Sequence, residues 1–439
     1  MPKPPPAPVP QSRLERLARI GLAAGELAVG AATEGIRRLA RGEAAELGTA
    51  LLSGANAKRL ATRLARLRGA AMKIGQLVSL QGEDVLPPEF AQALAMLRSQ
   101  AAPMPPEQVR RVLGREYGKG WEERFSRFDW EPIAAASIGQ VHRAVAANGR
   151  ELALKIQYPG VARSIASDVD NVAVLLRLFN LLPLGLDVGG MAAEAKRQLA
   201  QEADYEAEGR FLERYAKLVA GEPGLAVPRV HWDLTTQRIM AMDFMAGEPL
   251  EALASASQAR RDAVGALLER LLFRELFEFR VMQTDPNFAN YLWQPDTGRV
   301  VLLDFGATMR FPKEFVAKYA RITRAVIAGD RDAVAQGAID IGYAAAGDSP
   351  ERIDAVVDVV FLVCEPLRHR GRYDFPASDL PARVRDLGYD LAFRRGLVRA
   401  PPPETIFLHR KLVGAFLLLA RIRARVDARG LVTEVLAGQ

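Results

Sequence analysis

The feature that most constrains this chain is a polar stretch set among short apolar runs: Gln283-Thr284-Asp285-Pro286-Asn287-Phe288-Ala289-Asn290, followed by Val300-Val301-Leu302-Leu303-Asp304-Phe305-Gly306. Tyr291–Trp293 and Val300–Leu303 are too short for helices and read as buried strands. The spacing therefore places an aspartate and an asparagine before one strand, and a second aspartate directly after the next. Hard oxygen donors in this order suit a divalent cation on phosphates. One carboxylate positions or deprotonates an attacking hydroxyl or water, while the Asn290 amide and the Asp304 carboxylate hold Mg²⁺.

Asp-x4-Asn followed by a strand and Asp-Phe-Gly is the order of a kinase catalytic loop and metal-binding turn. The upstream half agrees. In Glu151-Leu152-Ala153-Leu154-Lys155 the period-2 alternation sets Leu152, Leu154 and Ile156 on one face and Ala153 and Lys155 on the other. A lysine there reaches nucleotide phosphates when a helix carboxylate orients it, and Glu202 on the following helix is the expected partner. Taken alone, Lys155 would read as an exposed strand lysine. Met242-Asp243-Phe244-Met245 falls where a hinge would read adenine with backbone groups. The loop Ala134-Ala135-Ala136-Ser137 occupies the place of a glycine-rich phosphate cover. Alanine lacks glycine's φ > 0 freedom and adds a methyl group against the nucleotide.

Composition narrows the alternatives. The 439 residues are 49% apolar and 25% charged, which excludes disorder over most of the length. One cysteine, Cys364, and four histidines exclude an intrachain disulfide framework and a cysteine-based zinc site. Fifty-nine Lys and Arg against 52 Asp and Glu leave a surplus of +7. That charge suits phosphates or an anionic membrane and is too diffuse for a nucleic-acid partner. No apolar run approaches the roughly 20 residues of a bilayer span. Val172–Leu186 is broken by Arg177 and Pro183, and Leu412–Ala420 is too short. The start, MPKPPPAPVP, has no apolar core of a secretory signal.

Along the chain, the pattern predicts an α+β protein in four parts: a disordered Pro-rich start (1–12), a helical extension (13–127), a small sheet-containing lobe (128–246) and a mostly helical lobe (247–439). Arg13–Arg41 reads as a basic amphipathic helix that would either pack with a solvated arginine face or lie on a membrane surface. Residues 56–82, Pro88–Leu97 and Pro106–Arg115 read as further helices. Asn148-Gly149 between Ser137–Val145 and Glu151–Tyr158 signals a hairpin. Ala192–Val219 reads as one helix, with Leu199, Ala203, Ala207, Phe211 and Tyr215 on one stripe. A second hairpin is expected from Arg229–Leu234 and Arg238–Phe244. In the extension, Gly69–Val78 is apolar except for Lys73 and Gln76, which share a face while Gly75 permits close approach. Lys73 either snorkels to water or pairs with a buried carboxylate.

Lys73-Ile74-Gly75-Gln76, the Ala-Ala-Ala-Ser loop, Lys155-Ile-Gln-Tyr-Pro-Gly, Glu202-Ala-Asp204-Tyr-x-x-Glu208, Gln-Thr-Asp285-Pro-Asn and Asp304-Phe-Gly-Ala-Thr together resemble the UbiB-type atypical kinases, the aarF-domain proteins of coenzyme Q (ubiquinone) biosynthesis. The absence of an apolar tail sets the resemblance nearer the branch without membrane spans. What it implies is a protein-kinase-like two-lobe fold whose N-terminal extension, carrying Lys73, Gly75 and Gln76, covers the cleft. It implies ATP and Mg²⁺ as cofactors, ATPase activity and little conventional protein-kinase activity. Carried over, Lys155 and Glu202 form the ion pair, Asp285 is the catalytic acid/base, and Asn290 and Asp304 hold the metal. Lys73 and Gln76 would reach toward Glu202 and Asp204, with Glu208 in the same regulatory motif. Gln283 and Thr284 stand where a catalytic-loop arginine would be, and no Ala-Pro-Glu follows Gly306, so a peptide-acceptor platform is not visible. The implied partners are a membrane lipid or isoprenoid quinone precursor and ubiquinone-biosynthesis enzymes. The implied place is peripheral on the inner membrane facing the bacterial cytoplasm, or mitochondrial in a eukaryote. A nucleotide-gated lipid-binding scaffold and a small-molecule kinase stay open beside the ATPase.

Overall fold

The computed structural model describes residues 103–178, 188–391, 395, 397 and 401–438. The expected Pro-rich start, the helices expected before residue 103 and the motif residues Lys73, Gly75 and Gln76 lie outside them. The chain divides into two compact units, 1–210 with 229–244 and 211–228 with 245–439.

In the first unit, α1 (Pro106–Tyr117) precedes β1 (Phe125–Phe128), β2 (Ala134–Ala135), β3 (Gly139–Ala146) and β4 (Glu151–Gln157). The expected hairpin forms between β3 and β4, with Gly149 at φ +83° where an L side chain would be strained. Leu152, Leu154 and Ile156 are fully buried and pack with Val109 and Leu113 of α1, Trp121 and Phe125. Ala153 and Lys155, on the other face, are buried too, so this strand is covered on both sides. Helices α2 (Val161–Leu178) and α3 (Val188–Glu202) follow, then α4 (Tyr205–Leu218), whose residues after Arg210 belong to the second unit.

The single helix expected over Ala192–Val219 is thus two. Asp204 breaks it: its side chain accepts the Ala207 N–H at 2.8 Å and its carbonyl the Glu208 N–H at 3.0 Å. A short acidic side chain that satisfies an orphan donor starts a new helix here and leaves the stripe from Leu199 to Tyr215 discontinuous.

Strand β5 (Leu225–Ala226) belongs to the second unit, and β6 (Ile239–Asp243) closes the first sheet in the order β1-β3-β4-β6, with β2 also on β3. The second expected hairpin is only half regular. Residues 229–234 join β6 through one bridge, Val230 to Met242, because the Asp243 carboxylate accepts the Arg229 N–H and pairs with His231 Nε2 at 2.7 Å.

The second unit continues with β7 (Glu248–Pro249) and α5 (Gln258–Arg274). A π-helical turn, Glu275–Phe279, leads into β8 (Val281–Gln283). Strands β9 (Tyr291–Gln294) and β10 (Arg299–Leu302) then form the sheet β5-β10-β9-β7, and β11 (Thr308–Arg310) pairs with β8. The rest is mainly helical: α6 (Lys313–Ala328), α7 (Arg331–Ile341), α8 (Pro350–Val363), the one-turn α9 (Glu365–Arg368), α10 (Leu380–Tyr389), α11 (Pro403–Arg421) and α12 (Ala428–Ala437). Short β12 (Tyr373–Asp374) and β13 (Arg425–Val426) pair between them. Its core joins Leu272, Phe273 and Phe277 to Met282, Phe311, Leu408 and Val432. Among the described residues no helix is long and apolar enough to cross a membrane.

Candidate nucleotide and metal site

Lys155 is held inside the first unit. Its ammonium donates to both oxygens of Glu208, at 2.7 and 2.9 Å, and lies 5.3 Å from the Tyr205 ring. The ion-pair partner is therefore Glu208, and the assignment to Glu202 is corrected. The helix break supplies the reason. Glu202 ends α3, whereas Glu208 sits one turn into the restarted α4, beside β4. Glu202 instead accepts a 2.5 Å hydrogen bond from Ser137 at the end of the alanine loop. Asp204 is the capping residue of α4.

The alanine loop is itself a tight hairpin. Ala134 and Ala135 pair with Val141 and Gln140 and are exposed, and the Ala136 N–H reaches the Gly139 carbonyl at 2.9 Å. Gly139 is required here, since a methyl group would lie 2.5 Å from the Ile156 carbonyl oxygen and 2.6 Å from the Tyr205 hydroxyl. Of the hinge candidates, the Asp243 N–H is committed to the Arg229 carbonyl and the Phe244 N–H to the Glu151 carbonyl, both at 3.0 Å. Met242 lies within the sheet, opposite Ala153. Met245 is the first residue beyond this unit.

In the second unit the β9–β10 hairpin brings the metal-ligand candidates together. Tyr291 stands opposite Leu302, and the Leu303 N–H donates to the Asn290 carbonyl at 3.0 Å. Asn290 and Asp304 consequently emerge at the same end of the hairpin. The Asn290 amide nitrogen donates to the Asp285 carboxylate at 3.2 Å, leaving its amide oxygen as the atom suited to a cation. Asp304 accepts the Gly306 N–H at 2.9 Å, which fixes the Asp-Phe-Gly turn. Phe305 is buried against Tyr215, ring centroids 4.5 Å apart.

Below this turn lies a buried polar network absent from the sequence-based expectations. The Tyr215 hydroxyl donates to Glu275 at 2.7 Å, and burial together with that carboxylate pushes its pKa well above the ordinary tyrosine value, so it stays a donor. Lys411, on α11, donates to the Gln283 amide oxygen and the Tyr291 hydroxyl, each at 3.2 Å, and sits 3.5 Å from Glu275. Its neighbour Arg410 donates to the Asp285 carboxylate. The sequence does carry a signal for these two: a cationic pair inside the apolar pattern of α11.

The donors fit Mg²⁺ in kind. Among the described residues there is no cluster of three or more acidic, histidine or cysteine side chains that would cage a metal unaided. Two hard oxygen donors at a hairpin end match a cation that completes its shell with phosphate oxygens and water.

Residues 96–338 match the ABC1 atypical kinase-like domain. Over 428 residues the chain is 40% identical to the mitochondrial atypical kinase COQ8B of Rattus norvegicus, covering 97% of this chain and 81% of that relative. Over 432 residues it is 38% identical to the mitochondrial atypical kinase COQ8 of Saccharomyces cerevisiae, covering 98% and 86%. Among solved structures, the Rv3197–erythromycin complex of Mycobacterium tuberculosis aligns with a TM-score of 0.62 at 28% identity, over 86% of this chain and 94% of that one. With a kinase-like fold, an ion-paired strand lysine and the Asp-x4-Asn and Asp-Phe-Gly segments in place, the chain belongs to the ABC1 atypical kinase-like family, the UbiB-type family its motifs resemble.

Proposed function

We propose that this protein binds MgATP and turns it over as an atypical kinase-type phosphotransferase in coenzyme Q biosynthesis, with water or a small group as acceptor. The observation that carries the reading is the hairpin end where Asn290, Asp304 and the Asn290-held carboxylate of Asp285 are assembled. The buried Lys155–Glu208 pair supports a phosphate-binding lysine, and the family membership supports the pathway. Bound Mg²⁺ would neutralise charge on the phosphates. Asp285 would accept the proton of an attacking water as its oxygen bonds to the γ-phosphorus and the bond to the ADP oxygen breaks. The isoprenoid chemistry of the pathway and the surplus of +7 support peripheral contact with an anionic membrane.

Phosphate release by the purified protein, with and without Mg²⁺, tests this. Wild type should hydrolyse MgATP, Asp285→Asn should bind it without turnover, and Asp304→Asn should lose the metal dependence. Wild type that binds MgATP with no release would favour the nucleotide-gated scaffold. No binding at all would overturn the nucleotide reading.

A further inference from the structure

Helix α11 meets the catalytic segment through three side-chain positions on one of its faces, Arg410, Lys411 and Gly414. The Arg410 guanidinium, 5% exposed, donates to Oδ1 of Asp285 while Asn290 donates to Oδ2. Both oxygens of that carboxylate are thus gripped, which fixes its plane as well as its position. Lys411 holds Gln283 and Tyr291, the residues that flank the segment. Gly414 is pressed onto Pro286, where a methyl group would lie 1.8 Å from the proline Cβ.

Burying a guanidinium is costly unless it is paired, and packing alone would be served as well by an apolar side chain. The catalytic segment itself carries no cation at Gln283 or Thr284. We propose that Arg410 is the positioning residue of Asp285, so that α11 supplies from the far end of the chain the orientation this segment lacks internally. This rests on the reading of Asp285 given above.

The test uses full-length Arg410→Ala and Arg410→Lys. For Arg410→Ala, kcat of Mg²⁺-dependent phosphate release should fall about 10- to 100-fold, the scale set by a carboxylate misplaced by about an ångström. KM for the nucleotide should stay within about threefold. Arg410→Lys, which keeps the charge but has one donor group in place of the planar fork, should fall between. Carbodiimide labelling read by peptide mass spectrometry gives a measure independent of turnover: Asp285 should be protected in wild type and labelled several-fold faster in Arg410→Ala. Unchanged or faster turnover in Arg410→Ala, or losses in kcat and KM that run in parallel, would overturn the proposal. So would equal labelling of Asp285. If wild type releases no phosphate while labelling of Asp285 still rises in Arg410→Ala, the assigned reaction fails and the positioning role stands.

Discussion

Removing either partner of the Lys155–Glu208 pair should be among the most damaging single changes in the first unit. Glu208 is 1% exposed and Lys155 9% at the side-chain level, and the contact is bidentate at 2.7 and 2.9 Å. Lys155→Ala leaves a carboxylate in a dry setting, and Glu208→Ala leaves an ammonium there; each should cost about 3–5 kcal/mol. An exposed pair would cost only about 0–1 kcal/mol. Replacing both at once, as Lys155→Met with Glu208→Leu, should recover most of that stability, since neither buried charge then remains. Glu202→Ala should cost less than Glu208→Ala, because the contact with Ser137 is partly exposed. Urea titration of the four variants measures the stabilities, and a nucleotide titration follows the site. MgATP affinity should fall for Lys155→Ala and Glu208→Ala, and should not return in the double variant. A cost below about 1 kcal/mol for Lys155→Ala would refute the buried-pair reasoning. A cost for Glu202→Ala equal to that for Glu208→Ala would refute the partner assignment.

Burial raises the Glu269 carboxyl from its ordinary 4.5 to about 7. A carboxyl raised in the folded state contributes stability that is fully present below pH 4.5 and lost as pH rises through 7. Glu269→Gln should therefore be about 3 kcal/mol more stable than wild type at pH 8 and nearly equal to it at pH 4, by denaturant midpoints. Equal midpoints at pH 8 would show that Glu269 is not desolvated. Gly139→Ala should destabilise by about 1–3 kcal/mol and weaken nucleotide binding, because the Ile156 carbonyl in its way is backbone. Unchanged nucleotide affinity would separate that contact from the alanine loop. Sedimentation with cardiolipin-containing vesicles should exceed that with neutral ones and fall with salt. Equal, salt-insensitive binding would remove the electrostatic part of membrane contact.

What the sequence disclosed was local. Period-2 alternation set Leu152, Leu154 and Ile156 apart from Lys155, and short apolar runs marked β9 and β10, so the ligand candidates Asn290 and Asp304 were named from spacing alone. The partner of Lys155 was missed because Ala192–Val219 keeps its apolar stripe across Asp204. Periodicity does not register a capping side chain that stops one helix and starts the next. Arg410 was missed for a different reason: its contact with Asp285 spans 125 positions, and no local pattern encodes a pairing of that reach. The clue was of the kind that drew notice to Lys73, a cation inside an apolar run of sequence. Lys73, Gly75 and Gln76 themselves lie outside the described residues.

The support of the catalytic segment from α11 also bears on how the polypeptide is made. Gln283, Asp285 and Tyr291 leave the ribosome 120 to 128 residues ahead of the side chains that brace them. At about 5–20 residues per second, the segment waits roughly 6–25 seconds for Arg410 and Lys411. Throughout that interval the nascent chain holds the acidic groups of the site without the helix that grips Asp285. A product terminated shortly before Pro403 would keep all the recognisable motifs and lack the brace. Late stop codons in such a gene therefore yield chains that look complete to a motif search and are unfinished where the chemistry occurs.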